Sequence, residues 1–94
     1  MGETRQGPYR SKGFQQLASL AAATSLTVPN GARLAYLSAE AQDVRLRGDG
    51  TDPTAAIGLL VKAGSQPFLY QGDINTLKAI EAAASAKLNV EYLA

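Results

Sequence analysis

Residues 42–61, QDVRLRGDGTDPTAAIGLLV, constrain what this chain can fold into more than any other stretch. Two runs with apolar residues at alternate positions flank a loop of Gly, Asp, Thr and Pro, the sequence pattern of a β-hairpin. Val44 and Leu46 point one way, with Asp43, Arg45 and Arg47 the other; after the turn Ala55, Ile57, Leu59 and Val61 share a face. Each strand then has one side to bury. A lone two-stranded ribbon is marginal in water, so the rest of the chain must cover that apolar side.

The remainder reads as more short strands. Thr24–Val28 is predicted as a strand, Pro29-Asn30-Gly31 as a tight hairpin turn, and Arg33–Ala39 as the next strand. In that strand Leu34 and Tyr36 lie on one side and Ala35 and Leu37 on the other, which predicts a central strand covered on both faces or engaged in an oligomer contact. Residues 14–22 are open between helix and strand. Phe68–Tyr70 reads as a short strand between loops. Residues 75–86 carry Ala-rich helical spacing, Leu77, Ile80 and Ala84, but the cadence of strands and turns around them favours a strand ending near Ser85. Leu88, Val90 and Tyr92 alternate with Lys87, Asn89 and Glu91, as in a half-buried strand.

About seven short strands in 94 residues predict an all-β fold, a small jelly-roll-like β-sandwich over residues 14–94. Residues 1–13, glycine-rich and basic, are predicted as a flexible N-terminal arm. They contain no apolar run that would serve as a secretory signal. No stretch approaches the ~18 apolar residues of a membrane span, so the expectation is synthesis in the cytoplasm without a membrane anchor.

The chain has no Cys and no His, which excludes disulfides, thiolate chemistry and the side chain most used for acid–base work near neutral pH. Asp49 and Asp52 could supply oxygen ligands, but their spacing does not match a calcium loop, and Asp, Gly, Thr and Pro are what a turn requires. Gly48-x-Gly50 lacks the Lys-Ser/Thr ending of a phosphate loop. The expectation is a non-enzymatic protein without metal or cofactor. A net charge of +1 gives no global case for nucleic acid, although Arg33, Arg45 and Arg47 could form a basic patch with stacking from Tyr36 and Tyr70. The candidate partner-binding residues are Arg5, Tyr9, Arg10, Lys12 and Phe14 of the arm region, with Tyr36, Arg45 and Arg47 on the strands.

VPNGARLAYLSAEAQDVRLRGDGTDPT, then AGSQPFLYQGD and the closing LNVEYLA, resemble small virion structural proteins of tailed bacteriophages. The matching positions are Val28, Pro29 and Gly31; Asp43, Val44, Arg45 and Arg47; Asp49, Gly50, Thr51, Pro53 and Thr54; and Ala86 to Val90 with Tyr92. The resemblance covers residues 25–94 in pieces and leaves the basic arm outside it. It implies a virion subunit of the capsid decoration or cement type, or a neck or tail component. Its partners would be the major capsid protein or other virion proteins, and its state a homo-oligomer, dimer or trimer. A carbohydrate-binding, lectin-like module and a nucleic-acid-binding barrel are the alternative classes.

Overall fold

The computed structural model describes residues 9–94 and has no helix among them. Its eight strands are β1 (Ser11–Leu17), β2 (Thr24–Ser25), β3 (Leu34–Glu40), β4 (Val44–Arg47), β5 (Leu59–Val61), β6 (Phe68–Tyr70), β7 (Lys78–Glu81) and β8 (Lys87–Leu93). They form two four-stranded antiparallel sheets, the first in the order β1-β8-β3-β6 and the second in the order β2-β7-β4-β5.

The pairings have a simple origin. β1 pairs with β8, β2 with β7, β3 with β6 and β4 with β5, as in one long two-stranded ribbon folded back at the β4–β5 loop. Rolling that ribbon brings β8 beside β3 and β7 beside β4. The hairpin at residues 42–61 is therefore the turning point of the ribbon, and among the described strands β4–β5 is the one consecutive pair that is hydrogen-bonded. Every other connection between described strands passes from one sheet to the other.

One core is shared by both sheets. Ala35, Leu37, Ala39, Leu88, Val90 and Tyr92 come from the first sheet and Val44, Leu46, Val61 and Ala79 from the second; Leu20, Leu26, Ile74, Leu77 and Ala86 seal it from the connections. The alternation in β4 and β8 is the cause. Residues two apart share a face, so Val44 with Leu46, and Leu88 with Val90 and Tyr92, all enter the same interior.

Several expectations are corrected. β1 begins at Ser11, inside the segment predicted as an arm, and pairs with β8 through Leu17↔Leu88. Arg10 and Ala94 exchange backbone hydrogen bonds of 2.8 and 2.9 Å, so pairing with the end of the chain already includes residue 10. The inward side of β1 carries Gly13, Gln15 and Leu17 and has no apolar alternation to read. Gln15 faces the interior because its Oε1 accepts from the Tyr92 hydroxyl (2.6 Å) and from the Thr27 N–H (3.1 Å). β2 is only Thr24–Ser25, because its partner β7 begins at Lys78, opposite Ser25. The Pro29–Gly31 turn exists, with Ala32 N–H donating to the Pro29 carbonyl at 3.1 Å, but it joins strands of different sheets and is not a hairpin.

In the central hairpin β5 starts at Leu59, not Ala55. Thr54 and Ile57 exchange backbone bonds, and Thr54 Oγ1 also accepts from the Ile57 N–H at 2.9 Å. Within 75–86 only Lys78–Glu81 is strand. Leu77, the first residue of that helical spacing, belongs with Ile74 to a single turn, in which Asp73 Oδ1 accepts from Asn75 N–H at 2.9 Å and Leu77 N–H reaches the Ile74 carbonyl at 3.4 Å. Both side chains are buried.

The Tyr92 phenol ties this core to pH. Burial raises its pKa above the ordinary value, and the backbone hydrogen bond from Thr27 pulls the other way. With the folded pKa raised, the unfolded chain loses this proton first as pH rises. The contribution to stability is therefore complete below about pH 10 and is lost as pH climbs through the folded pKa. Denaturation midpoints measured against pH should fall more gently above about pH 10 in Tyr92→Phe than in the wild type; parallel curves would refute the assignment.

Candidate functional site

The outer face of the first sheet gathers the most exposed aromatic surface of the described chain. Strand register places Phe14 opposite Glu91, Glu91 opposite Tyr36, and Tyr36 opposite Leu69, one row across all four strands. At ~4.8 Å per strand that row is roughly 14 Å long. The next row toward the chain ends is Ser11, Leu93 and Leu34. Phe14 and Tyr36 are exposed, as is Tyr9 beside them. A shallow concavity of about 430 Å³ is lined by Tyr9, Ser11, Tyr36, Leu69, Glu91 and Leu93. The reciprocal Arg10–Ala94 backbone bonds hold the segment that carries Tyr9 against the end of β8.

The opposite end of the same face is polar. Gln16 Nε2 donates to Asn89 Oδ1 and Asn89 Nδ2 donates to Glu40 Oε1, each at 2.8 Å. This ladder spans β1, β8 and β3. One half of the face thus satisfies its own polar groups across the strands, and the other half presents rings and aliphatic side chains around the Glu91 carboxylate. Contact there would desolvate apolar surface with one charge to be matched by a partner.

Of the residues singled out in the sequence, Tyr9, Phe14 and Tyr36 converge on this face. Arg10 and Lys12 lie at its β1 end; Lys12 sits at the bulge between Ser11 and Gly13, with its chain over the Gly31 turn. Arg5 lies outside the described residues. Arg45 and Arg47 do not join the site, because they project from β4 in the second sheet. Arg47 Nε is bound by both Asp49 oxygens, at 2.8 and 3.0 Å, and that hydrogen bond holds the Asp49 carboxyl below its usual range. Arg45 Nη1 donates to the Gly58 carbonyl at 3.0 Å. The basic patch expected from Arg33, Arg45 and Arg47 is not assembled, since Arg33 leads into β3 of the other sheet.

The acidic loop has mechanical work. Asp49 Oδ1 also accepts from Thr51 N–H (3.2 Å), Asp52 pairs with Lys78 (2.7 Å), and Pro53 is buried. Asp43 Oδ1 accepts from Ala63 N–H at 2.8 Å and its carbonyl accepts from Ala82 N–H at 2.9 Å, so it braces two connections at once. Among the described residues no three acids stand close enough to hold a metal ion. Leu34, Leu69, Leu93 and Glu91 were missed from sequence as site residues. Their signal was the apolar outward face of β3, Leu34 and Tyr36, which had to find a neighbour of the same kind on β6 and β8.

No protein-family model, curated protein or solved structure matches the chain.

Proposed function

We propose that this chain is a small β-sandwich of the jelly-roll type that serves as a non-enzymatic structural protein of a tailed-bacteriophage virion, a capsid decoration or cement protein. The observation that carries the reading is the pairing of first strand with last, second with seventh, third with sixth and fourth with fifth. This is the rolled-ribbon order of double-sheet jelly rolls, an architecture used in viral capsid and lectin domains. A fold does not by itself assign a function. The aromatic face of the first sheet adds a surface suited to seating the domain on a shell protein, with Tyr36 and Phe14 as anchors. Arg10 and Lys12 at the β1 end of this face, with Arg5 before them in the chain, would provide a second attachment and so raise avidity.

The test is mass spectrometry of purified virions with copy number measured against the major capsid protein, followed by rebinding of the purified chain to particles that lack it. Hundreds of copies are expected, and Tyr36→Asp should abolish rebinding while leaving the fold intact. About a dozen copies or fewer would move the protein to the neck or tail. Absence from the particle would overturn the reading. A lectin-like module is the second reading, favoured by the concavity in which Tyr9 and Tyr36 flank Ser11 and Glu91; glycan binding lost in Tyr36→Ala would support it.

A further inference from the structure

β5 ends the second sheet and β6 ends the first, and residues 62–67 carry the chain between them. Leu59 stands opposite Leu46, and Phe68 opposite Leu37, and both of these partners are completely buried. Opposite residues of an antiparallel pair lie on the same face, so Leu59 and Phe68 are turned to the core side of their sheets. Yet Leu59 is 59% exposed and Phe68 38%. Nothing among the described residues closes the core at this end. Leu60, on the other face of β5, is 44% exposed, and Ile57, just before the strand, is 57% exposed.

A free strand edge invites pairing, and proteins usually blunt it by shortness, charge, proline or a bulge; β5, at three residues, has only the first. Residues 55–61, AAIGLLV, contain no charged residue and no proline. We infer that β5 is a self-association edge: two copies pair β5 with β5, antiparallel about a two-fold axis, and join two four-stranded sheets into one.

Charge selects a second copy as the occupant. An uncharged edge meets no like charge when it faces itself, whereas a basic or acidic partner strand would find nothing there to answer its charge. The two Lys62 residues fall at opposite ends of an antiparallel pair. Arg45, on the neighbouring strand and bound to the Gly58 carbonyl, would lie three strand spacings from its copy, roughly 14 Å, beyond the ~8 Å screening length of physiological salt. Two-fold pairing is also self-complementary, each strand giving the other the same hydrogen bonds it receives. β5 is only three residues long, so the paired edge is short and the dimer is reversible and concentration-dependent.

The experiment uses the isolated chain and does not rest on the virion reading. Sedimentation velocity should show the weight-average mass rising from one chain toward two with concentration. Leu60→Lys, on an exposed outward position, should remain monomeric at every concentration with an unchanged thermal midpoint. Because the chain has no cysteine, Leu60→Cys should give a covalent dimer under mild oxidation and Tyr36→Cys should not. A wild type that stays monomeric, a trimer, a dimer that survives Leu60→Lys, or equal cross-linking through position 36 would each overturn the inference. A chain that dimerises through β5 but is absent from virions would leave it standing and remove only the functional reading.

Discussion

Val90→Asp should not yield a folded protein. Val90 lies in the middle of β8, completely buried, with Gln15 of β1 and Leu37 of β3 as its lateral partners. A carboxylate there has no described cation within the core, which holds no buried charged residue. Leaving it ionised or forcing it neutral costs at least ~4–5 kcal/mol, most of the roughly 5–10 kcal/mol that a domain of this size possesses. The expected result is loss of the cooperative thermal transition and of soluble yield. Val90→Ala keeps the test quantitative: it removes two methyl groups and should cost about 2–3 kcal/mol in urea denaturation. Glu91→Ala, one residue away but facing out, should cost almost nothing. A Val90→Asp protein that melts like the wild type would refute the inward assignment of the whole Leu88, Val90, Tyr92 row.

Gly58→Ala is the second large effect, and its cause is backbone rather than core. Gly58 sits at φ +144, where side chains are rare, and a Cβ on it would stand 2.9 Å from the Leu46 carbonyl oxygen and 3.2 Å from the Arg45 Cβ. Both obstacles belong to β4 and cannot swing away. The loop must therefore lift from the strand, straining the Arg45 bond to the Gly58 carbonyl and the start of β5. Overpacking and the unfavourable φ together predict a loss of about 2–5 kcal/mol. Gly50 and Gly64 have φ of +90 and +79 but open space around them, so the same substitution should cost only about 1–2 kcal/mol there. Equal losses at the three positions, measured by denaturant titration, would show that the steric argument for Gly58 fails.

What could be read from the sequence follows from how local each signal is. The inward row of β8 and the inward pair of β4 were legible because side chains alternate along any strand, whatever lies across from it. The turn-forming content of residues 48–54 was legible because Asp, Thr and Pro act on their own neighbours: Asp49 binds Arg47 and Thr51, and Thr54 binds Ile57. The candidate site was half legible. Tyr9, Phe14 and Tyr36 stood out as large exposed anchors, but nothing local says that β1, β8 and β3 are adjacent, and so Glu91, Leu93 and Leu69 could not be added to them.

β1 was the largest element to escape. Its inward residues are Gly13, Gln15 and Leu17, and Gln15 belongs inside only because Tyr92, 77 positions away, brings a hydroxyl that needs an acceptor. The Arg45, Arg47 and Arg33 patch failed for the related reason that a cross-over between sheets is invisible in a list of charges. By itself, then, the sequence determined the strand periodicity, the central hairpin and the dry side of β4 and β8, since these depend on alternation and on turn chemistry within a few residues. The tertiary structure alone decided which strands are neighbours, which apolar outer face the rings share and which edge is left open, because those depend on register between segments that meet only when the ribbon rolls.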